Sequence, residues 1–106
     1  GTATPIATLW TEVTDLTIRM AAHGRAIAAA ERGDSVPGWM RLAGEANDLG
    51  NARYEKLVAI LKSKPSSVED LAIVARAAGH RDIVDGPSAF AAGKLAEAAL
   101  SLRVAA

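Results

Sequence analysis

The chain has no cysteine in its 106 residues. Disulfides and thiolate metal sites are therefore absent by arithmetic, and cysteine usage leaves the redox compartment open. Aromatic side chains are nearly as scarce, limited to Trp10, Trp39, Tyr54 and Phe90. Half of the residues are hydrophobic, but many of these are alanine. That composition predicts a thin helical core with close backbones, not one filled by large rings. No apolar run approaches the ~18 residues needed to span a bilayer, so no membrane contact is expected. Acidic and basic side chains number twelve each, and neither forms a long block. The balance argues against nucleic acid, whose binding draws on clustered Lys and Arg. It argues equally against a basic membrane-surface helix. A Gly-rich phosphate loop, His-Glu-x-x-His, Gly-x-Ser-x-Gly and calcium-loop spacing are all missing, which lowers the expectation of an enzyme and predicts no cofactor. β-strand alternation, internal repeats and low-complexity segments are missing too.

What the chain does have is helical periodicity. Apolar or small side chains recur at Ile6, Leu9, Val13, Leu16, Met20, Ile27 and Ala30, with His23 the one interruption. This rhythm predicts one long helix with a narrow adhesive stripe, to be covered by another helix of this chain or of a second copy. Thr4 followed by Pro5 is a helix start, and Gly33 is expected to end the helix in the left-handed conformation. Asp15 and Arg19, four apart, are expected to pair on the solvated side.

The link at Gly33 to Pro37 is short, so the next helix should be an antiparallel neighbour, capped by Asp34 or Ser35. Its apolar line runs through Trp39, Leu42, Ala43, Ala46, Leu49, Gly50, Leu57, Ile60 and Leu61, crossed by Arg53 and Tyr54. Pro65 should stop it near Ser63. Ser66 and Glu69 read as a capping box for a short third helix that ends at Gly79. His80 to Gly86 reads as a polar connection. A fourth helix then runs from about Ser88 to Val104, with Ala91, Leu95, Ala98 and Leu102 on one face and Phe90, Leu100 and Val104 on the other. The expectation is a single all-α domain, a long two-helix hairpin with two shorter helices packed along it in a four-helix arrangement.

Few residues invite chemistry. His23 reads either as a proton switch or metal ligand inside a bundle, or as a half-buried histidine bonded to a neighbour or lying at a dimer seam. The second reading is favoured, because diiron bundles need Glu-x-x-His and Met20 stands three residues before His23. The densest ionisable group is His80, Arg81, Asp82 and Asp85, a possible ligand loop for a small molecule or metal. Its plainer reading is a polar loop in which Asp85 caps the last helix and Arg81 pairs with a carboxylate. Arg53 should meet an acid from the first helix or extend outward. Trp10 and Trp39 fall at opposite tips of a hairpin about 35–40 Å long, so they serve as core or interface anchors, not as one stacking pocket. The last two helices invite comparison with a helix-turn-helix, but Gly86-Pro87 interrupts the second, Asp82 and Asp85 repel phosphate, and no nucleic acid is expected.

At Ile60-Leu61-Lys62-Ser63-Lys64-Pro65-Ser66-Ser67, then Asp70-Leu71-Ala72 and Ala75-Arg76, the chain resembles a group of short, uncharacterised bacterial helical proteins. Trp10 and the hairpin layout are similar too, while Ile73-Val74 departs from the small or basic residues typical there. The resemblance implies the fold and carries no catalytic residue. The functional expectation is a non-enzymatic helical protein-protein interaction module, self-associating as a homodimer or binding another helical protein. Its expected interface is Trp10, Trp39, Phe90, Leu100 and Val104. The alternative is a small-molecule or metal-binding protein centred on His80–Asp85. Cytoplasm is the default location, and a start at Gly-Thr leaves a removed targeting segment open.

Overall fold

The computed structural model describes residues 4–33, 36–84 and 88–105, with side chains described except at 36–37, 88–91 and 101–105. Among the described residues there are five helices and no strand: α1 (Pro5–Arg32), α2 (Val36–Lys62), α3 (Val68–Ala78), α4 (Arg81–Val84) and α5 (Ser88–Ala105). No described helix is long and apolar enough to cross a membrane.

Helix α1 starts as its sequence dictates. Thr4 is the N-cap in an extended conformation, its hydroxyl accepting from the Ala7 amide at 3.1 Å, with Pro5 in the first turn. Thr11, Thr14 and Thr17 donate their hydroxyls to the carbonyls four residues back, so these weak helix formers are satisfied locally. The C-cap corrects one expectation. Gly33 has φ −87° and ψ 2°, so it is not left-handed, and its amide bonds back to the Ala29 carbonyl at 3.1 Å.

Helices α1 and α2 pack against each other most closely. Their contacts run in reverse order: Glu31 with Trp39, His23 with Glu45, Met20 with Gly50, Thr17 with Arg53, and Glu12 with Lys56. The stripe is buried at one end only. Ile6 and Val13 of α1 join Leu57, Ile60 and Leu61 of α2, Val74 and Ala77 of α3, Ile83 of α4 and Ala98 of α5 in one apolar cluster, with Leu9, Trp10, Leu71 and Leu95 packed against it. Beyond that end α1 and α2 continue as an arm. No described residue between positions 17 and 56 is buried, and the molecule is only 14 Å deep in its thinnest direction.

Two boundaries differ from the sequence reading. The cap of α3 lies one residue further on and is not the expected box. Ser67 is the N-cap, accepting from the Asp70 amide at 3.1 Å, and the Asp70 carboxylate accepts from the amide of Ser66, the residue before the cap, at 3.1 Å. Glu69 is exposed. The stretch from His80 is also more than a polar connection. Residues 81–84 form a helical turn that drives Ile83, 3% exposed, into the core, which makes five helices where four were expected. The proposed caps at Asp34, Ser35 and Asp85 lie outside the described residues.

Candidate functional site

Two of the polar groups that bridge helices contain a histidine or adjoin one. The first is on the arm. Arg19, Ala22 and His23 from α1 and Glu45, Asp48 and Leu49 from α2 line an open groove of about 570 Å³ whose surface is mostly carbon. The helical spacing explains the set, since residues three and four apart share a face. His23 Nε2 lies 2.9 Å from Glu45 Oε2, and Nδ1 lies 3.2 Å from the Arg19 carbonyl oxygen. A carbonyl and an ionised carboxylate accept only, so His23 can donate to both at once only as the imidazolium, and the geometry favours that form. The Glu45 bond, the Arg19 carbonyl and the Glu45 charge accordingly raise the His23 pKa above 6.5, against a smaller opposing effect of burial.

His80 is held in the opposite state. Its Nδ1 accepts from the Asp82 amide at 3.1 Å, capping the α4 turn, so that nitrogen carries no proton. Burial pushes its pKa below 6.5, Asp82 pulls the other way, and Arg53 adds to the lowering. The linkage signs are therefore opposite. Stability from His23 is present below pH 6.5 and is lost as pH rises through its raised folded value. His80 disfavours protonation, so its contribution weakens as pH falls below 6.5. Two-dimensional NMR of the imidazoles should place His23 above 6.5 and His80 below it, and Glu45→Gln should bring His23 down. A His23 midpoint that ignores Glu45→Gln would show that the pair does not form in solution.

The second group joins the arm to the core. Arg53 donates from Nε to Asp82 Oδ2 at 2.8 Å and from Nη2 to Asp82 Oδ1 at 3.0 Å, with Nη1 3.2 Å from the Thr17 hydroxyl. Arg53 thus meets an acid of α4, where sequence reasoning looked to the first helix. Nothing in local spacing pairs residue 53 with residue 82.

The loop read as a possible ligand site is accordingly occupied by its own bonds. His80 caps a turn, both Asp82 oxygens hold Arg53, Arg81 is exposed, and Asp85 lies outside the described residues. Among the described residues no three His, Asp or Glu side chains gather as metal ligands. The expected interface residues are dispersed: Trp10 packs against the core, Trp39 is 38% exposed near the tip and donates its indole N–H to Glu31 at 2.8 Å, and Leu100 is 60% exposed. The side chains of Phe90 and Val104 lie outside those described. Sequence spacing already sets Glu45 and Asp48 on the second helix as carboxylates able to face the first, but it does not join them to His23, which Glu45 meets through the reverse pairing of the two helices. Comparison with protein-family models, curated proteins and solved structures gives no match.

Proposed function

We propose that the chain is a cytoplasmic, single-domain helical interaction module without catalysis of its own, built on an antiparallel hairpin and self-associating as a homodimer. One observation carries this reading, the arm in which no described residue between 17 and 56 is buried. The arm contains Gly24, Gly38, Gly44 and Gly50, and glycine inside a helix costs up to about 1 kcal/mol relative to alanine. A Cβ added at Gly24 or Gly44 would meet nothing within 4 Å. Two glycine-bearing helical segments whose described residues include no buried side chain draw little stability from propensity, and most helical stability in proteins comes from tertiary packing. A covering partner supplies that packing. Exposed Ile18, Met40 and, on α5, Leu100 add apolar surface for association.

Sedimentation velocity between about 1 and 100 μM, the range of ordinary dimer affinities, tests the reading. The expected mass is twice that of the chain. A strict monomer across the range overturns it. Leu100→Glu locates the contact: a dimer that survives it places the interface away from α5, and dissociation places it there.

A further inference from the structure

We propose that the arm groove between α1 and α2 is covered by the same groove of a second copy, related by a two-fold axis along the arm. This rests on the homodimer reading and specifies its surface and orientation.

The charge pattern selects the partner and its orientation. The α1 wall of the groove is basic, with Arg19 and with His23, whose two ring nitrogens both face acceptors, and the α2 wall is acidic, with Glu45 and Asp48. Arg41, 3.9 Å from Glu45, is not among the lining residues. Two copies meeting face to face can be related by an axis across the helices or along them. An axis across the helices stacks α1 on α1, basic wall on basic wall. An axis along the arm stacks α1 of one copy on α2 of the other and sets each basic wall on an acidic one.

Register agrees with this choice. Within one chain His23 is level with Glu45, and Met20 is level with Gly50. An axis along the arm keeps every residue at its own level, so Arg19 of one copy arrives beside Asp48 of the other, twice per dimer. Every helix then has antiparallel neighbours on both sides, as in an up-down four-helix bundle. Arg19 is free to take part, because its intrachain partner Asp15 lies 3.4 Å away in a pair whose side chains are both more than 60% exposed.

The surface also has the size and composition of an interface. The arm part of α2, residues 36–56, is about 30 Å long. Two helices side by side are about 20 Å across, giving a face of roughly 600 Å² per copy and roughly 1,200 Å² per dimer, the lower end of specific interfaces. A mostly carbon floor at Ala22 and Leu49, rimmed by charges, matches the apolar centre and polar rim of such contacts.

The test is a charge exchange. Arg19→Glu faces two partner Asp48 carboxylates with glutamates, and Asp48→Arg sets arginine against Arg19. Each variant alone should keep its helical circular dichroism while its dimer dissociation constant rises at least about tenfold. Mixed in equal amounts, the two variants should form a heterodimer of nearly wild-type affinity, because both pairs across that interface are again opposite in sign. A folding defect would not be cured by mixing, so rescue is specific to the contact. If the wild type dimerises and both single variants dimerise as tightly, this groove is not the interface and the homodimer reading stands on another surface. If the wild type is monomeric, both readings fail.

Discussion

Replacing Asp70 by alanine should destabilise the fold by about 2–4 kcal/mol at neutral pH, the range expected when a buried, multiply bonded carboxylate is removed. Asp70 is 2% exposed. Its Oδ1 accepts from the Thr4 hydroxyl at 2.6 Å, and its Oδ2 accepts from the Ser66 amide at 3.1 Å and the Ser66 hydroxyl at 3.0 Å. Thr4 is itself the cap of α1, so one carboxylate ties the start of the first helix to the turn before α3. Alanine leaves the Ser66 donors and the Thr4 hydroxyl without this acceptor, and it frees the turn that leads into the α3 cap. Burial by itself opposes the charge on Asp70, but the bonds from Thr4 and Ser66 together outweigh it and hold the pKa below 3.8. A depressed carboxyl pKa stabilises above the unfolded value, and that stability is lost as pH falls through the folded value. The gap between wild type and Asp70→Ala, measured by urea unfolding, should therefore be full at pH 7 and shrink below about pH 3.8. Asp70→Asn should fall between the two, keeping the shape and one acceptor while turning donors toward donors. A change under about 0.5 kcal/mol for the alanine variant, the size of a typical surface substitution, would mean that water replaces these bonds without loss.

Much of the fold is legible in the residues because its signals are local. Thr4-Pro5, Pro65 and the three-and-four spacing of the stripe each act within one or two turns, and the bounds of α1, α2 and α3 follow from them. The signals that misled were degenerate. Ser66 and Ser67 are both capping residues, Glu69 and Asp70 are both acids at box spacing, and the distant hydroxyl of Thr4, which local spacing does not reveal, adds its bond to Asp70. Ile83 looked like part of a polar loop because a four-residue helix has no period to read; burial against the core reveals it. The stripe is equally apolar from Ile6 to Ala30, so nothing in the spacing tells its covered end from its bare one. That distinction depends on where α3, α4 and α5 come to rest, which is a property of the tertiary fold. For the same reason His23 was recognisable as an irregularity while its groove was not: the acids that face it belong to a helix more than twenty residues away.

Arg53→Met should cost about 2–4 kcal/mol, most of it from leaving Asp82 without its partner while still largely buried. The Arg53 and Asp82 side chains are 13% and 21% exposed, and the contact is bidentate, with Nε on one carboxylate oxygen and Nη2 on the other. Exposed ion pairs such as Asp15 with Arg19 contribute under about 1 kcal/mol and fade with salt. The Arg53 pair should differ on both counts, keeping most of its effect in 0.5 M NaCl because solvent ions have little access to it. A double-mutant cycle with Asp82→Asn isolates the pair, with an expected coupling of about 1–3 kcal/mol. The Thr17 contact makes α1 a party to the same bond, so the loss should be felt where the arm leaves the core. His80 gives an independent reading. Arg53 lowers its pKa and Asp82 raises it, so Arg53→Met should move the His80 titration upward, and Asp82→Asn should move it downward. Because protonating His80 breaks its cap on Asp82, the upward shift should also make the variant more acid-sensitive than the wild type near pH 6. Opposite shifts at His80, together with a coupling of that size, would establish Arg53 as the clasp between the arm and the core. Coupling near zero would show that the two charges are solvated separately and that apolar packing alone holds α4 in place.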